Sequence, residues 1–212
     1  VPFPGLGLGT HEIRYKATDA CGNFSEEIIY ITVEDNLPPY MVCIENTVVS
    51  VTNDGTAVSY ATSYDEGSYD NCTPIHLQVR RMDDNCFADT AFQDYIRFCC
   101  EDIGFTRMVV LRATDWCGNW NECMIEVKVQ DKLLPYFECP ADITIDCGED
   151  YEDLALTGQP QVTDNCPNIV VSSFDSLDFN TCSLGLVLRY WQVVDGVGRT
   201  AECTQEITVD NL

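Results

Sequence analysis

The chain has 212 residues, of which 45% are hydrophobic, so it is long enough for one large domain or two small ones with buried cores. It contains 35 acidic and 11 basic residues, which gives a formal net charge of -24. An electrostatic field of this sign repels nucleic acid and anionic membrane surfaces. No segment approaches the ~18 consecutive apolar residues that a membrane-spanning helix needs. We therefore expect no nucleic-acid partner and no direct insertion into a membrane.

The chain is rich in cysteine, with 13 cysteines against 2 histidines. Zinc-type spacing, in which one Cys-x-x-Cys pair is answered by another, is absent. This cysteine content predicts disulfides and an extracellular compartment. Because the count is odd, at least one cysteine is free, bound to another chain or without its partner. The chain begins with VPFPGLGLG, not with Met or a leader-like segment, so we expect it to be an interior piece of a longer protein.

The first predicted elements are two strands on either side of the motif ATDACGN. Ile13 and Tyr15 alternate with polar residues before the motif, and Ile29 does so after it. A period of two is typical of a strand with one buried face. Gly22 suits the positive φ of a tight turn, and Asp19 can accept hydrogen bonds from the turn amides. The segment is therefore predicted to be a β-hairpin.

The same strand–turn–strand pattern returns twice further along the chain. ATDWCGN at 113–119 repeats the turn, and VDGVGR at 194–199 keeps its Asp and Gly but has Val197 in place of the cysteine. Two other motifs also recur: DNC at 70–72 and 164–166, and Tyr-x-x-Cys at 40–43 and 136–139. No segment shows a sustained helical period. These repeats predict an all-β chain of tandem immunoglobulin-like β-sandwiches.

Proline-rich junctions mark the expected unit boundaries. EDNLPPY follows the first hairpin and QDKLLPY follows the second, and their prolines stiffen the chain there. We expect residues 1–35 to be the C-terminal part of one unit. Residues 36–131 are expected to form a complete unit with an insertion near 80–105, and residues 132–212 a second complete unit. Short, stiff links between such units predict an elongated rod.

The motifs in combination resemble the hyalin-repeat (HYR) type of immunoglobulin-like domain. FPGLGLGTHEIRYKATDACGN followed by ITVEDNLPP carries this resemblance, and CPADITIDC, VTDNCP and ECTQEITVD resemble its cysteine-rich bacterial form. Such repeats are abundant in large cell-surface adhesins of gliding Bacteroidota. The middle unit departs from the pattern, because Val51 stands where the third has Cys147.

The resemblance implies an extracellular, cell-surface protein with a structural or adhesive function and no enzymatic activity. Its segment would form a stiff stalk or filament used in attachment or gliding. The implied partners are other repeats of the same chain, other copies in a filament, and a surface or glycan target whose identity the sequence does not give.

Disulfides are expected to cross-link the strands of these small sandwiches. If the first and last strands of a unit lie side by side, Cys43 pairs with Cys123, and Cys139 pairs with Cys203. Further expected pairings are Cys147–Cys166, and Cys117 with either Cys99 or Cys100. The sequence also predicts that Cys147, Cys166 and Cys182 are not all paired within their own unit. Spacing alone does not fix connectivity.

Acidic residues gather at the expected unit ends, and calcium is the cation that prefers their hard oxygen ligands. The expected calcium ligands are Glu34, Asp35, Asn36, Asp131 and Asp210. The turn acids Asp19 and Asp115 and the Asp-Asn pairs at 70–71 and 164–165 are expected near the same ends. The alternative is that these motifs only form turns, and the DxDxDG pattern of a dedicated calcium loop is absent.

Aromatic residues near predicted loops suggest other functions. Trp116 and Trp120 flank the second turn, and Tyr60, Tyr64 and Tyr69 precede the first DNC motif. Exposed rings there would suit a carbohydrate- or ligand-binding module, or an accessory module of a secreted enzyme. The competing interpretation is that Trp120 and Tyr64 pack over a disulfide or a neighbouring unit.

No catalytic residues are predicted, because Gly-x-Ser-x-Gly is absent and neither His11 nor His76 lies in a motif. Modification is a separate possibility. The resemblance suggests a bacterial O-linked glycosylation pattern, which Asp89-Thr90-Ala91 and Asp175-Ser176-Leu177 match at Thr90 and Ser176. Asn23 and Asn71 match the N-linked acceptor pattern.

Overall fold

The computed structural model describes residues 5–181 and 183–211, and its regular secondary structure is almost entirely β-strand. Its strands fall into three sets along the chain. We call them the hairpin segment (strands within 9–33), the middle sandwich (strands within 46–130) and the C-terminal sandwich (strands within 136–210). The predicted all-β, immunoglobulin-like fold with disulfides is confirmed. None of the helices in the described part is long and apolar enough to cross a membrane.

The hairpin segment consists of β1 (Gly9–Thr18) and β2 (Phe24–Val33), which pair antiparallel with Gly9 opposite Val33. Within the described residues, no other strand joins this pair. Its large side chains are consequently exposed, with Tyr30 at 68% and Phe24 at 60%. In the two sandwiches, the matching hairpin forms the centre of a four-stranded sheet.

The middle sandwich has two sheets that enclose one core. Its strands are β3 (Asn46–Ser50), β4 (Thr56–Tyr60), β5 (Ile75–Arg81), β6 (Tyr95–Cys99), β7 (Thr106–Asp115) and β8 (Trp120–Gln130). One sheet has the order β3-β8-β7-β5, with β3 parallel to β8, and the other pairs β4 with β6. Alternation along β8 buries Ile125, Val127 and Val129 and exposes Glu126 and Lys128, as period two requires.

The insertion near 80–105 is an integral part of the middle sandwich. It supplies β6, whose Ile96 and Phe98 are fully buried in the core opposite the larger sheet. It also contains Asp102, which accepts hydrogen bonds of 2.8 Å from both terminal nitrogens of Arg81. Both side chains of this ion pair are completely buried. The insertion therefore supplies one of the two strands of the second sheet and is not only a surface loop.

The C-terminal sandwich repeats the larger sheet with a smaller core. Its elements are β9 (Tyr136–Glu138), β10 (Ile143–Asp146), α1 (Leu154–Thr157), β11 (Gln161–Thr163), β12 (Val170–Phe179), β13 (Gly185–Val194) and β14 (Thr200–Asp210). The sheet order is β10-β14-β13-β12, with β10 parallel to β14, and β9 pairs with β11. The buried core is formed by Ile145, Val187, Ile207 and Val209. In both sandwiches a short strand near the start, β3 or β10, thus pairs in parallel with the last strand.

Candidate functional site

The three hairpin turns share one hydrogen-bond pattern built on the turn aspartate. In each turn the Oδ1 atom of Asp19, Asp115 or Asp195 accepts a 2.8 Å hydrogen bond from the backbone N–H four residues later. The glycines three residues after these aspartates have φ between 88° and 91°. Such angles strain residues with a Cβ atom. The repeated Asp-x-x-Gly motif is therefore explained by turn geometry.

The turns differ in what the second carboxylate oxygen contacts. Oδ2 of Asp115 accepts a 2.8 Å hydrogen bond from Nδ2 of Asn119. Arg199 occupies the matching position in the last turn and donates instead to the backbone oxygen of Asp131, at 2.7 Å. Oδ2 of Asp195 is left buried and without a hydrogen-bond partner. A buried, unpaired carboxylate oxygen costs about 1–3 kcal/mol or more unless a ligand satisfies it.

Asp195 belongs to an acidic cluster between the middle and C-terminal sandwiches, which we call the second junction. Oxygens of Asp131, Asp164 and Asp195 lie within 4.8 Å of one another. Asp131 and Asp195 are only 6% and 4% exposed. Oδ1 of Asp164 and Oδ1 of Asn165 are also buried without partners.

A matching cluster lies between the hairpin segment and the middle sandwich, which we call the first junction. Asp35 and Asp70 there correspond by repeat position to Asp131 and Asp164. A ligand atom from each, together with Sγ of Cys72, lies within 4.8 Å of the others. Asp35 is 8% exposed, and its Oδ2 atom has no hydrogen-bond partner, nor has Oδ1 of Asp70.

The donor set of both clusters suits a hard divalent cation. Buried carboxylates this close repel one another, because Coulomb interactions are weakly screened away from water. Calcium takes six to eight oxygen ligands, including carboxylates, amide oxygens and waters. The second junction offers the three carboxylates of Asp131, Asp164 and Asp195, and the first offers those of Asp35 and Asp70. The backbone N–H groups of Cys72 and Thr73 lower the pKa of Asp70, so this ligand stays ionised.

Only two of the five residues expected as calcium ligands lie in these clusters. Asp35 and Asp131 are buried there, whereas Glu34, Asn36 and Asp210 lie on the exposed surface. Asp70 and Asp164 come from the DNC motifs, which are predicted to lie near the unit ends. Asp195 is predicted from the sequence only as a turn residue. The replacement of Asn119 by Arg199 at the matching turn position is the sequence difference that distinguishes it.

A disulfide also joins the two sandwiches across the second junction. Cys100, at the end of the insertion, is bonded to Cys166 of the second DNC motif, with Cα atoms 5.6 Å apart. Cys166 is 8% exposed and packs into the core of the middle sandwich. Asn165 donates from Nδ2 to the backbone oxygen of Thr52 at 3.3 Å. The junction is therefore held by covalent, polar and apolar contacts together.

The remaining disulfides lie within the sandwiches. The structure brings together both first-to-last pairs expected from the sequence, Cys43 with Cys123 and Cys139 with Cys203. A further disulfide joins Cys86 to Cys99 inside the insertion.

Two expected pairings are wrong. Cys147–Cys166 does not form, because Cys166 faces the middle sandwich while Cys147 is free and exposed. Cys117 is also free and bonds neither Cys99 nor Cys100, whose partners are Cys86 and Cys166. Cys166 thus bonds outside its own sandwich, and Cys182 lies outside the described residues.

The residues that suggested ligand binding, catalysis or glycosylation lie either on the surface or in the core. Tyr64 is fully buried, whereas Trp116 is 76% exposed and Trp120 lies over the guanidinium of Arg112. Of the histidines, His76 is exposed with Nε2 3.4 Å from Oδ1 of Asp94, and His11 hydrogen-bonds to the backbone oxygen of Gly7. The hydroxyl-bearing residues proposed for glycosylation, Thr90 and Ser176, are both exposed.

No protein-family model matches the chain, and no curated protein sequence matches it. Several solved structures align with nearly all of it. A mouse clustered protocadherin, PcdhgC3 EC1-3, aligns with 97% of this chain and 78% of its own length, at 12% identity and a TM-score of 0.35. The human desmocollin-1 ectodomain aligns with 94% of this chain at 16% identity and a TM-score of 0.35. Drosophila N-cadherin EC1-3 aligns with 89% of this chain and 74% of its own, at 12% identity and a TM-score of 0.32.

The chain spans 48% of the length of the desmocollin structure. TM-scores this low carry no argument about activity or partners, and the fold assignment rests on the strand pairing of the chain itself.

Proposed function

We propose that this chain is a structural and adhesive segment of a large, secreted cell-surface protein. Its units are residues 1–35, 36–131 and 132–212, and they follow one another as a stiff stalk or filament that serves surface attachment or gliding. Its partners are neighbouring repeats of the same chain, other copies in a filament and a surface target. No chemical reaction is assigned to it.

The Cys100–Cys166 disulfide is the observation that supports this proposal most directly. A covalent bond between consecutive sandwiches restricts their relative motion, whereas a flexible linker would let each reorient freely. Gly55 adds to this restriction, because a Cβ atom there would lie 2.5 Å from the backbone oxygen of Asn165. Such close contact suits a part that transmits force along the chain.

The proposal predicts that the disulfide stiffens the second junction. In small-angle scattering and in single-molecule stretching of the full chain, Cys100→Ser should increase the spread of extensions and lower the force at which the junction yields. The matched control is Cys147→Ser, which removes a free, exposed thiol of the C-terminal sandwich. If the two sandwiches reorient freely with the disulfide intact, the proposed stalk function is wrong.

We also propose that calcium binds at both acidic clusters and neutralises them. The support is the recurrence of buried, unpaired carboxylate oxygens at corresponding positions of two junctions. Asp131, Asp164 and Asp195 would hold the ion at the second junction, and Asp35 and Asp70 at the first. Bound calcium would relieve the repulsion between these carboxylates and so favour the packed junction.

A further inference from the structure

Cys72 and Cys117 are free and exposed, yet they occupy two positions that converge at the first junction. Strands β5 and β7 pair with Ile75 opposite Asp115, so the residues just beyond these strand ends remain close. The backbone N–H of Trp116 donates a 3.2 Å hydrogen bond to Oγ1 of Thr73, which joins the immediate neighbours of the two cysteines.

The corresponding positions of the second junction, one repeat later, also lie close together. Cys166 corresponds to Cys72 in the DNC motif, and Val197 corresponds to Cys117 in the turn. Cys166, Val197 and Cys100 line a single cavity there. Three positions therefore meet at a junction: the DNC cysteine, the turn position and a position in the preceding sandwich.

The residues at the two possible partner positions differ between the junctions. At the second junction the turn has Val197 and the preceding sandwich has Cys100, which forms the observed bond. At the first junction the turn has Cys117, and the position that matches Cys100, counted back from the shared turn aspartate, is Pro4. Each junction thus has a cysteine at one of the two positions and a residue without a thiol at the other.

We propose that Cys72 and Cys117 form a disulfide in the exported protein, as the within-unit counterpart of the Cys100–Cys166 bond. A small disulfide such as glutathione disulfide oxidises the two thiols by thiol–disulfide exchange and is itself reduced. One cysteine displaces a first glutathione thiol and forms a mixed disulfide, and the other then displaces the second. The two cysteine hydrogens end on two released glutathione molecules, and one S–S bond replaces another.

The consequence for the chain rests on the proposed stalk function. A DNC cysteine bonded to the preceding sandwich locks the junction, whereas one bonded to its own turn closes its own sandwich and leaves the junction without a covalent link. The two junctions of this chain would then differ in stiffness, with the second locked and the first compliant. The residue at the turn position would determine which of these two disulfides the DNC cysteine forms.

Peptide mapping tests the bond itself. The full chain is oxidised in a glutathione redox buffer, free thiols are alkylated, and a non-reduced digest is analysed by mass spectrometry. We expect peptides containing Cys72 and Cys117 to be linked, with Cys117→Val leaving Cys72 fully alkylated. The matched control is Cys21→Val, which changes the corresponding turn cysteine of the hairpin segment and should preserve the link.

Several outcomes would overturn the proposal. One is alkylation of both cysteines in a chain whose Cys43–Cys123 bond is intact, and another is a link from Cys72 to a different cysteine. A third is protection of both thiols that a chelator removes, which would indicate a bound metal.

The double variant Cys100→Ser with Val197→Cys tests the geometry independently, because Cys166 should then link to position 197. Absence of that link would show that the turn position is out of reach. None of these results alters the stretching measurement on Cys100→Ser, so failure here is distinct from failure of the stalk proposal.

Discussion

Gly55 illustrates how a single residue determines whether two sandwiches can pack. It lies in the tight turn between β3 and β4 with φ of 73°, and a Cβ atom there would meet both the backbone oxygen of Asn165 and Sγ of Cys100 at under 3.0 Å. Gly118 has a similar φ of 90°, but a Cβ atom added there would have no neighbour within 4 Å. Both glycines therefore have a positive φ that strains other residues, but only Gly55 lies against the neighbouring sandwich.

This difference gives a matched pair of substitutions. Gly55→Ala and Gly118→Ala should each destabilise the chain by about 1 kcal/mol through the positive φ. Gly55→Ala should in addition loosen the second junction and speed reduction of the Cys100–Cys166 disulfide. Urea unfolding and the rate of disulfide reduction measure the two effects. Equal reduction rates in the two variants would show that Gly55 does not contribute to junction packing.

At the scale of elements, the insertion near 80–105 is stabilised by ion pairs as well as by its apolar strand. Arg81 of β5 pairs with Asp102 in full burial, and Arg97 of β6 pairs with Asp89 at 2.9 Å. Asp102 also accepts a hydrogen bond from the backbone N–H of Cys99, at 3.1 Å. The Arg81–Asp102 pair attaches the end of the insertion to β5 of the larger sheet, and the other two contacts join residues within the insertion.

Breaking the buried pair should strongly destabilise the middle sandwich. Arg81→Met leaves the buried Asp102 carboxylate with only the charge of Arg107, whose Nε atom lies 2.8 Å from Oδ1. We therefore expect a loss of about 3 kcal/mol, the lower end of the cost of breaking a buried ion pair. Adding Asp102→Asn removes the carboxylate charge and keeps an acceptor for the Cys99 N–H group, so the double variant should recover more than half of the loss. Denaturant midpoints measure both changes. Arg80→Met, on the half-buried neighbour, is the control and should change stability by about 0.5 kcal/mol.

The second ion pair makes the insertion sensitive to acid. Burial raises the pKa of Asp89, but hydrogen bonds from Arg97 and Gln93 outweigh burial, so the pKa of this carboxyl is lowered overall. A lowered folded-state pKa stabilises the protein above the unfolded value of about 4, and this contribution disappears as the pH falls through the folded value.

Asp89→Asn should therefore reduce stability at pH 7 but have little effect at a pH below the folded value. The measurement is the urea midpoint of both proteins between pH 7 and pH 2. The exposed Glu66→Gln serves as the control. A stability difference that is independent of pH would contradict this role of the carboxylate.

At the scale of the whole molecule, a chain with net charge -24 concentrates buried acids where its parts meet. Most of the charge is exposed and solvated, so it contributes solubility rather than structure. The junction carboxylates differ because several of their oxygens are buried without partners. The junctions are therefore where added cations should act most strongly on the chain.

Calcium should raise the melting temperature of the full chain, and a chelator should reverse the change. If affinity lies in the 10⁻⁴–10⁻³ M range of extracellular calcium modules, about 2 mM calcium stabilises each site by roughly 1 kcal/mol. Asp164→Asn with Asp195→Asn should remove the effect at the second junction. The matched control is Asp210→Asn with Glu34→Gln, which changes two exposed acids. A melting temperature that ignores both calcium and chelator would show that the clusters are not calcium sites.

The sequence alone predicts the hairpin strands, their turns and the repeat, because alternating side chains and Asp-x-x-Gly turns are local properties. It also indicates that Cys43 and Cys139 lie beside the last strands, since the start of each sandwich is expected next to its last strand. The tertiary structure is needed to show that Cys166 bonds to Cys100 across a junction and that Oδ2 of Asp195 has no hydrogen-bond partner. Both depend on how one sandwich packs against the next, which brings together residues distant in the chain through contacts that no local pattern encodes.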